Sequence, residues 1–150
     1  MKKIELTKEE IDVVDDVFFD FIGILTSEEV EKTACSFIEK ASNFMHESNA
    51  INERGGDLIV WFWGKYLKQE GLYKCDDISK IEFSKKQKSI LKAASKGNYI
   101  PGIEYEETNK LFFDIICKVC SYIAETNSYK ELNESDLDYL EWFYNKYCEK

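Results

Sequence analysis

Residues 108–125 read TNKLFFDIICKVCSYIAE, and this stretch decides the fold class. Its apolar residues recur at spacings of three and four, the period of an α-helix with one buried face. The inward positions are Leu111, Phe112, Ile115, Ile116, Val119 and Ile123. One proline and seven glycines in 150 residues leave few breaks in such patterns. We therefore predict a long amphipathic helix over about 108–125.

The same period predicts about six helices in all. Capping boxes, in which a hydroxyl and a residue three positions later cap each other, mark three helix starts. They are Thr7 with Glu10, Thr26 with Glu29, and Ser84 with Gln87. The other five helices are predicted over about 7–25, 26–45, 57–69, 84–97 and 135–147. The first two are so closely joined that they should form an antiparallel hairpin, with Ile11 and Ile38 on their buried faces.

Two stretches are ambiguous. Leu58 to Trp63 is apolar on every side and fits either a central helix or a buried strand. We favour helix, because Tyr66 continues the helical spacing and Lys65 to Glu70 contain good helix formers. Asp77 to Phe83 is too short to assign, and 127–134 is polar and predicted as a loop. The fold class that follows is an all-α, single-domain bundle over residues 1–150.

Size and composition favour a domain that folds without a disulfide or a metal. A chain of 150 residues with 44% apolar residues can bury a core without a disulfide or a metal. The N-terminus has no apolar signal region, and no run approaches the roughly 20 apolar residues of a membrane span. The five cysteines are an odd, scattered set, which indicates reduced, buried thiols. We expect a cytoplasmic protein without a membrane partner.

The net charge of −9 is unevenly distributed. Residues 1–63 hold 6 basic and 14 acidic residues, residues 64–98 hold 9 lysines and 4 acids, and residues 99–150 hold 5 lysines and 11 acids. A basic middle is therefore flanked by two acidic segments. Arg54 is the only arginine, whereas nucleic-acid recognition favours arginine forks. We expect no direct nucleic-acid partner.

No motif indicates catalysis or metal binding. Cys117 and Cys120 form a C-x-x-C, but it lies inside a predicted helix, away from the N-terminus that lowers thiol pKa in redox motifs. His46 is the only histidine and is explained as a cation near a helix C-terminus. The Gly55-Gly56-Asp57 stretch matches no phosphate-binding loop. We predict no catalytic residues, no metal site and no cofactor.

Two features are not required by folding. Glu9, Asp12, Asp16 and Asp20 recur at spacings of three and four, with Asp15 beside them, and like charges at this spacing repel. Tyr139 and Trp142 lie off the apolar seam of the last helix, beside acidic residues. Both features fit a partner-binding surface, in which aromatic anchors have a charged rim. The alternatives are a solvated helix face for the acids and contacts within the domain for the aromatics.

In size, charge and helicity the chain resembles the immunity proteins of bacterial toxin–immunity pairs, of which contact-dependent growth-inhibition systems are one group. The resemblance rests on these global properties and on no motif, so it transfers no residue. It implies a non-catalytic protein that binds a cognate basic toxin domain, often a nuclease, and blocks it. An acidic surface suits that role, because complementary fields speed association.

Two other interpretations stay open. A phage-type inhibitor or DNA mimic would have the same acidic helices and would bind a host complex that handles nucleic acid. A helical subunit of a nucleoprotein complex would instead use the lysines at 80, 85, 86, 88, 92 and 96. The sequence does not indicate the oligomeric state.

Overall fold

Helices form nearly all the regular structure of this chain. The structure is a computed structural model that describes residues 3–14, 28–47, 57–97, 105–135 and 137–148. Within these ranges there are seven α-helices, one 3-10 turn at Ile78–Lys80 and no strand, so the prediction of an all-α fold is confirmed. The helices are α1 (Lys8–Asp12), α2 (Glu28–Glu47), α3 (Asp57–Glu70), α4 (Lys85–Ser95), α5 (Tyr105–Glu125), α6 (Tyr129–Ser135) and α7 (Tyr139–Cys148).

The chain divides into two compact units, within each of which the helices are described separately. The N-terminal unit is Met1–Phe62 and the C-terminal unit is Trp63–Lys150, so the division falls inside α3. No helix in the described ranges has both the length and the apolar character to cross a membrane.

The first helix begins as predicted and ends early. The Thr7 hydroxyl accepts a hydrogen bond from the Glu10 N–H at 3.1 Å, and the Glu10 carboxylate accepts one from the Thr7 N–H at 2.8 Å. Helix α1 then ends at Asp12, where the Val13 backbone leaves helical geometry with φ −101° and ψ 5°. Val13 and Val14 are both buried, and such β-branched residues are weaker helix formers than straight-chain ones. The prediction of one unbroken helix from Thr7 is therefore wrong at this point.

The core of the N-terminal unit forms between α2 and the first turns of α3. Phe37 and Phe62 pack edge to face with ring centroids 5.3 Å apart, and Phe44 lies 5.3 Å from Trp61. These rings are buried, as the helical spacing predicts. Two predicted core positions are not: Ile11 is 37% exposed and Ile38 is 41% exposed. The cap predicted at Thr26 lies outside the described residues.

Leu58 to Trp63 is helical, which settles the ambiguity left by the sequence. Val60 to Trp63 are buried in succession, so this part of α3 has no exposed side among them. Gly71 follows the helix with φ +69°, and its N–H donates to the Lys68 carbonyl while the Leu72 N–H donates to the Leu67 carbonyl. This paired arrangement is a Schellman motif, and it explains the glycine.

In the C-terminal unit, α4 packs against α5 and α7. The predicted capping box at the start of α4 is present, with the Ser84 hydroxyl accepting from the Gln87 N–H at 3.1 Å and the Gln87 side chain accepting from the Ser84 N–H at 3.0 Å. The Gln87 amide also donates to the Asp114 carboxylate at 2.7 Å. Phe83 adds an aromatic contact to Tyr147, with centroids 5.3 Å apart.

Three predicted boundaries in this unit are wrong. Helix α5 begins at Tyr105 rather than near Thr108. The polar stretch predicted as a loop contains α6, because Asn127 takes a left-handed conformation (φ +53°) that closes α5 and lets the chain turn into a new helix. Ser135 ends α6 instead of capping the last helix, and the Asp138 carboxylate caps α7 by accepting from the Leu140 N–H at 2.9 Å.

Candidate binding surfaces

The acidic stripe predicted on the first helix is described only in part. Glu9 and Asp12 lie on α1, are exposed and make no ion pair with any described residue. Asp15, Asp16 and Asp20 lie outside the described residues. Of the predicted stripe, the structure therefore places only Glu9 and Asp12, at spacing three on α1.

Glu10 shows how the fold uses one acidic residue. Its side chain is 3% exposed and lies 2.5 Å from the Lys40 ammonium of α2, while the Ser36 hydroxyl donates to its other oxygen at 3.0 Å. Burial by itself raises the pKa of this carboxyl, but the hydrogen bonds from Lys40, Thr7 and Ser36 outweigh burial and lower it. Glu10 is therefore a structural anion that joins α1 to α2.

Two exposed acids of α2 are not neutralised in this way. Glu31 and Glu39 of α2 are exposed and, like Glu9 and Asp12, have no ion-pair partner among the described residues. Residues 1–62 contain 14 acidic and 6 basic residues. In the described ranges, the charges of Glu9, Asp12, Glu31 and Glu39 therefore stay on the surface without a cation beside them.

The two predicted aromatic anchors differ in burial. Trp142 is 4% exposed, its ring lies 6.3 Å from that of Tyr122, and the Lys146 ammonium lies 5.3 Å from its centre. It therefore contacts its own unit, which is the alternative that the sequence left open, and it presents little surface to a partner. Tyr139 is half-buried at the start of α7. These two residues and the acids of α1 belong to different units.

The thiols of the C-x-x-C are buried within α5, as predicted. Cys117 and Cys120 lie well inside the helix, which starts at Tyr105, and both are 1% exposed or less. Burial raises the pKa of the Cys117 thiol to about 11 and that of Cys120 well above its ordinary value. At neutral pH both are protonated and poor nucleophiles. Cys75 is also buried, but Cys35 and Cys148 are exposed, contrary to the prediction of buried thiols throughout.

A surface cavity of about 310 Å³ opens beside the segment that follows α3. Its wall includes Cys75 and Tyr73. Burial raises the pKa of the Cys75 thiol to about 11 and of the Tyr73 phenol to about 12. The cationic wall residue Lys118 is held by the Asp114 carboxylate at 3.0 Å and by the Glu82 carbonyl at 3.0 Å. The thiol and the phenol in this wall are therefore protonated at neutral pH, so neither is an ionised nucleophile.

Among the described residues, no group of three or more histidine, cysteine or acidic side chains is placed to hold a metal ion. His46, the single histidine, lies exposed in the last turn of α2, in agreement with its predicted position near a helix C-terminus.

The structure also has a basic surface, which the sequence indicated only for the alternative of a nucleoprotein subunit. Three lysines share one side of α4 and a fourth is its C-cap residue; they recur at spacings of three, four and four, and all four are exposed. We call this set, Lys85, Lys88, Lys92 and Lys96, the lysine face. None of the four forms an ion pair with a described residue, whereas the neighbouring Lys86 pairs with Glu107 at 2.7 Å. The spacing of these lysines in the sequence was the one signal that could have predicted the lysine face.

Comparison with known proteins gives no assignment. No protein-family model matches the sequence, and neither the curated proteins nor the solved structures contain a match to the chain.

Proposed function

We propose that this chain is a non-catalytic binding protein of the toxin–immunity class, which neutralises a basic toxin domain by direct binding in the cytoplasm. The observation that carries the proposal is the unpaired acidic surface of the N-terminal unit. Glu9, Asp12, Glu31 and Glu39 are exposed without ion pairs in the described part of the chain, while the fold neutralises Glu10 with Lys40.

The physical reason is electrostatic complementarity. A toxin that acts on nucleic acid needs a positive groove, and an acidic surface of similar extent can occupy that groove and exclude the substrate. Charges that are exposed in the free protein contribute first to the association rate and to specificity. The apolar component of such an interface is available from Ile11 of α1, which is 37% exposed and stands between Glu9 and Asp12 on the same helix.

The proposal is tested with a triple charge variant. Asp12→Asn, Glu31→Gln and Glu39→Gln keep the side-chain shapes and remove three negative charges from this surface. The matched control, Asp76→Asn with Glu82→Gln and Glu134→Gln, removes three exposed acids from the C-terminal unit. Wild type and both variants serve as bait in affinity capture from the native host, and the captured protein is then purified for calorimetry.

The expected result is a basic partner whose nuclease or other toxic activity is blocked at a one-to-one ratio. The triple variant should bind it less tightly than the control, with a difference that shrinks as salt is raised. A partner that binds wild type and the triple variant equally at low salt would refute the role of the acidic surface. Capture of a nucleic-acid-handling host complex, without a dedicated toxin, would instead support the DNA-mimic alternative.

A further inference from the structure

The lysine face of α4 is costly to the helix that carries it. Lys85 and Lys88 are three residues apart, and the later pairs are four apart, so neighbouring ammonium groups repel along the whole face. The first turn of α4 contains no acidic residue. Lys85 and Lys88 lie near the positive end of the helix dipole, which favours anions, whereas Lys92 and Lys96 lie near the end that favours cations. Nothing among the described residues compensates these charges by an ion pair.

The chemistry of the face limits what can bind it. Every exposed residue of α4 is a lysine or Ser89, so the face has no aromatic or aliphatic anchor. Stable protein interfaces have an apolar centre with such anchors. Attachment to a membrane by basic residues is normally combined with an inserted apolar group or lipid. A phosphate backbone requires neither, because counterion release on contact with lysines supplies the free energy.

The geometry suits a linear polyanion. At 3.6 residues per turn the four lysines fall within an arc of about 80°, and at 1.5 Å per residue they extend over about 16 Å. The points at which the lysine side chains leave the backbone are therefore about 4.5 to 6 Å apart along the helix axis. Helix α4 contains no acidic residue that would repel a chain of phosphates laid along it.

We propose that the lysine face binds the phosphodiester backbone of a nucleic acid without reading its base sequence. Lysine acts as a point charge toward phosphate, whereas base recognition favours the arginine fork, and Arg54 is the only arginine in the chain. The scarcity of arginine, from which the sequence predicted no nucleic-acid partner, therefore argues against base reading and leaves backbone contact open. This inference does not depend on the proposed toxin partner.

The test is fluorescence anisotropy with labelled DNA and RNA oligonucleotides of mixed sequence. Single strands and duplexes of about 20 nucleotides are titrated with the full chain at about 50 mM salt, where phosphate contacts are strong. Four contacts predict that affinity falls roughly 50-fold for single strands and roughly 150-fold for duplexes between about 50 and about 200 mM salt. Different base sequences should bind with the same affinity.

The decisive variant replaces Lys85, Lys88, Lys92 and Lys96 with Gln. Its matched control replaces four other exposed lysines, Lys8, Lys32, Lys110 and Lys130, and so has the same net charge. We expect the first variant to lose at least tenfold in affinity, and the control to stay within about threefold of wild type. Replacement of the four face lysines with Arg should retain binding. Circular dichroism verifies folding, and the milder pair Lys88→Gln with Lys92→Gln replaces the quadruple variant if that fails to fold.

Three outcomes would overturn the proposal. The first is that anisotropy does not change at about 50 mM salt when the protein reaches about 100 μM, which is the weakest dissociation constant typical of non-specific binding. Another is an equal loss in the face variant and the control, which would mean that binding follows net charge alone. The third is sedimentation with phosphatidylserine vesicles in the absence of oligonucleotide binding, which would assign the face to a membrane surface.

Discussion

Gly64 of α3 lies directly against the backbone carbonyl of Cys120 in α5. A Cβ atom at position 64 would overlap the Cys120 oxygen, and it would lie 3.1 Å from the carbonyl carbon and 3.2 Å from the Cβ of Ala124. Within the C-terminal unit, the part of α3 around residue 64 can approach α5 this closely only because residue 64 has no side chain. A glycine in a helix interior lowers helix propensity, and here close packing explains its presence.

Gly64→Ala is expected to destabilise the protein by about 1–3 kcal/mol, the usual cost of overpacking, although alanine is the better helix former. Backbone atoms of Cys120 cannot rotate away as the end of a flexible side chain could. Urea denaturation followed by circular dichroism measures the change. Lys68→Ala, at an exposed position of the same helix, is the control and should stay within about 0.5 kcal/mol of wild type. An unchanged Gly64→Ala protein would contradict the close approach of α3 and α5.

Glu10→Gln is expected to lower stability by about 1–3 kcal/mol at neutral pH, because it removes charged hydrogen bonds from a buried position. The pKa of Glu10 is lowered in the folded state from its ordinary value of 4.5. Its contribution is thus fully present above that value and is lost as pH falls through the lower folded-state pKa. The difference in unfolding free energy between wild type and Glu10→Gln should therefore shrink below pH 4.5. Glu9→Gln, at an exposed and unpaired position, should show no such difference.

Trp142→Ala is expected to cost about 3–5 kcal/mol, because it removes a buried indole and leaves a cavity beside Tyr122. Denaturant titration measures this loss, and Tyr139→Ala, at a half-buried position, should lose less. Partner binding should then be assayed at a temperature where both variants are folded. If the folded Trp142→Ala protein lost binding but kept its stability, Trp142 would be a partner contact rather than part of the core.

The five thiols are expected to react with a disulfide reagent in two classes. Cys35 and Cys148 are exposed and should react quickly in the native protein. Cys75, Cys117 and Cys120 are buried with raised pKa values, so they should react only as the protein opens or unfolds. Colorimetric titration at pH 8, with and without denaturant, counts the two classes. Rapid native reaction of Cys117 or Cys120 would restore the redox interpretation of the C-x-x-C.

Local signals in the sequence predicted much of the fold. The capping boxes at Thr7 and Ser84 involve residues three positions apart, so their geometry needs no knowledge of distant contacts. Leu58 to Trp63 is helical as its continuation to Tyr66 indicated. These features are determined within about two turns of chain.

Features that depend on distant contacts were missed or left open. Trp142 lies off the apolar seam of its own helix, and its burial beside Tyr122 depends on the packing of α5, which spacing within α7 does not reveal. Helix α6 was missed because its sequence is polar apart from Tyr129 and Leu132, and the latter is completely buried. The spacing of the lysines in the lysine face could be seen in the sequence. Counting charges by segment, however, does not show that these lysines share one side of α4.

The side chains that cap the start of α4 do not change charge near neutral pH. Ser84 and Gln87 cap each other with a hydroxyl and an amide, and the same amide holds the Asp114 carboxylate of α5. Salt and pH can therefore change the electrostatic potential at the exposed surface of α4 while its first turn stays in place. The contacts that fix the start of α4 do not involve the exposed lysines. Lysines on this surface can therefore be gained, lost or replaced by acidic residues during evolution without unfolding the helix.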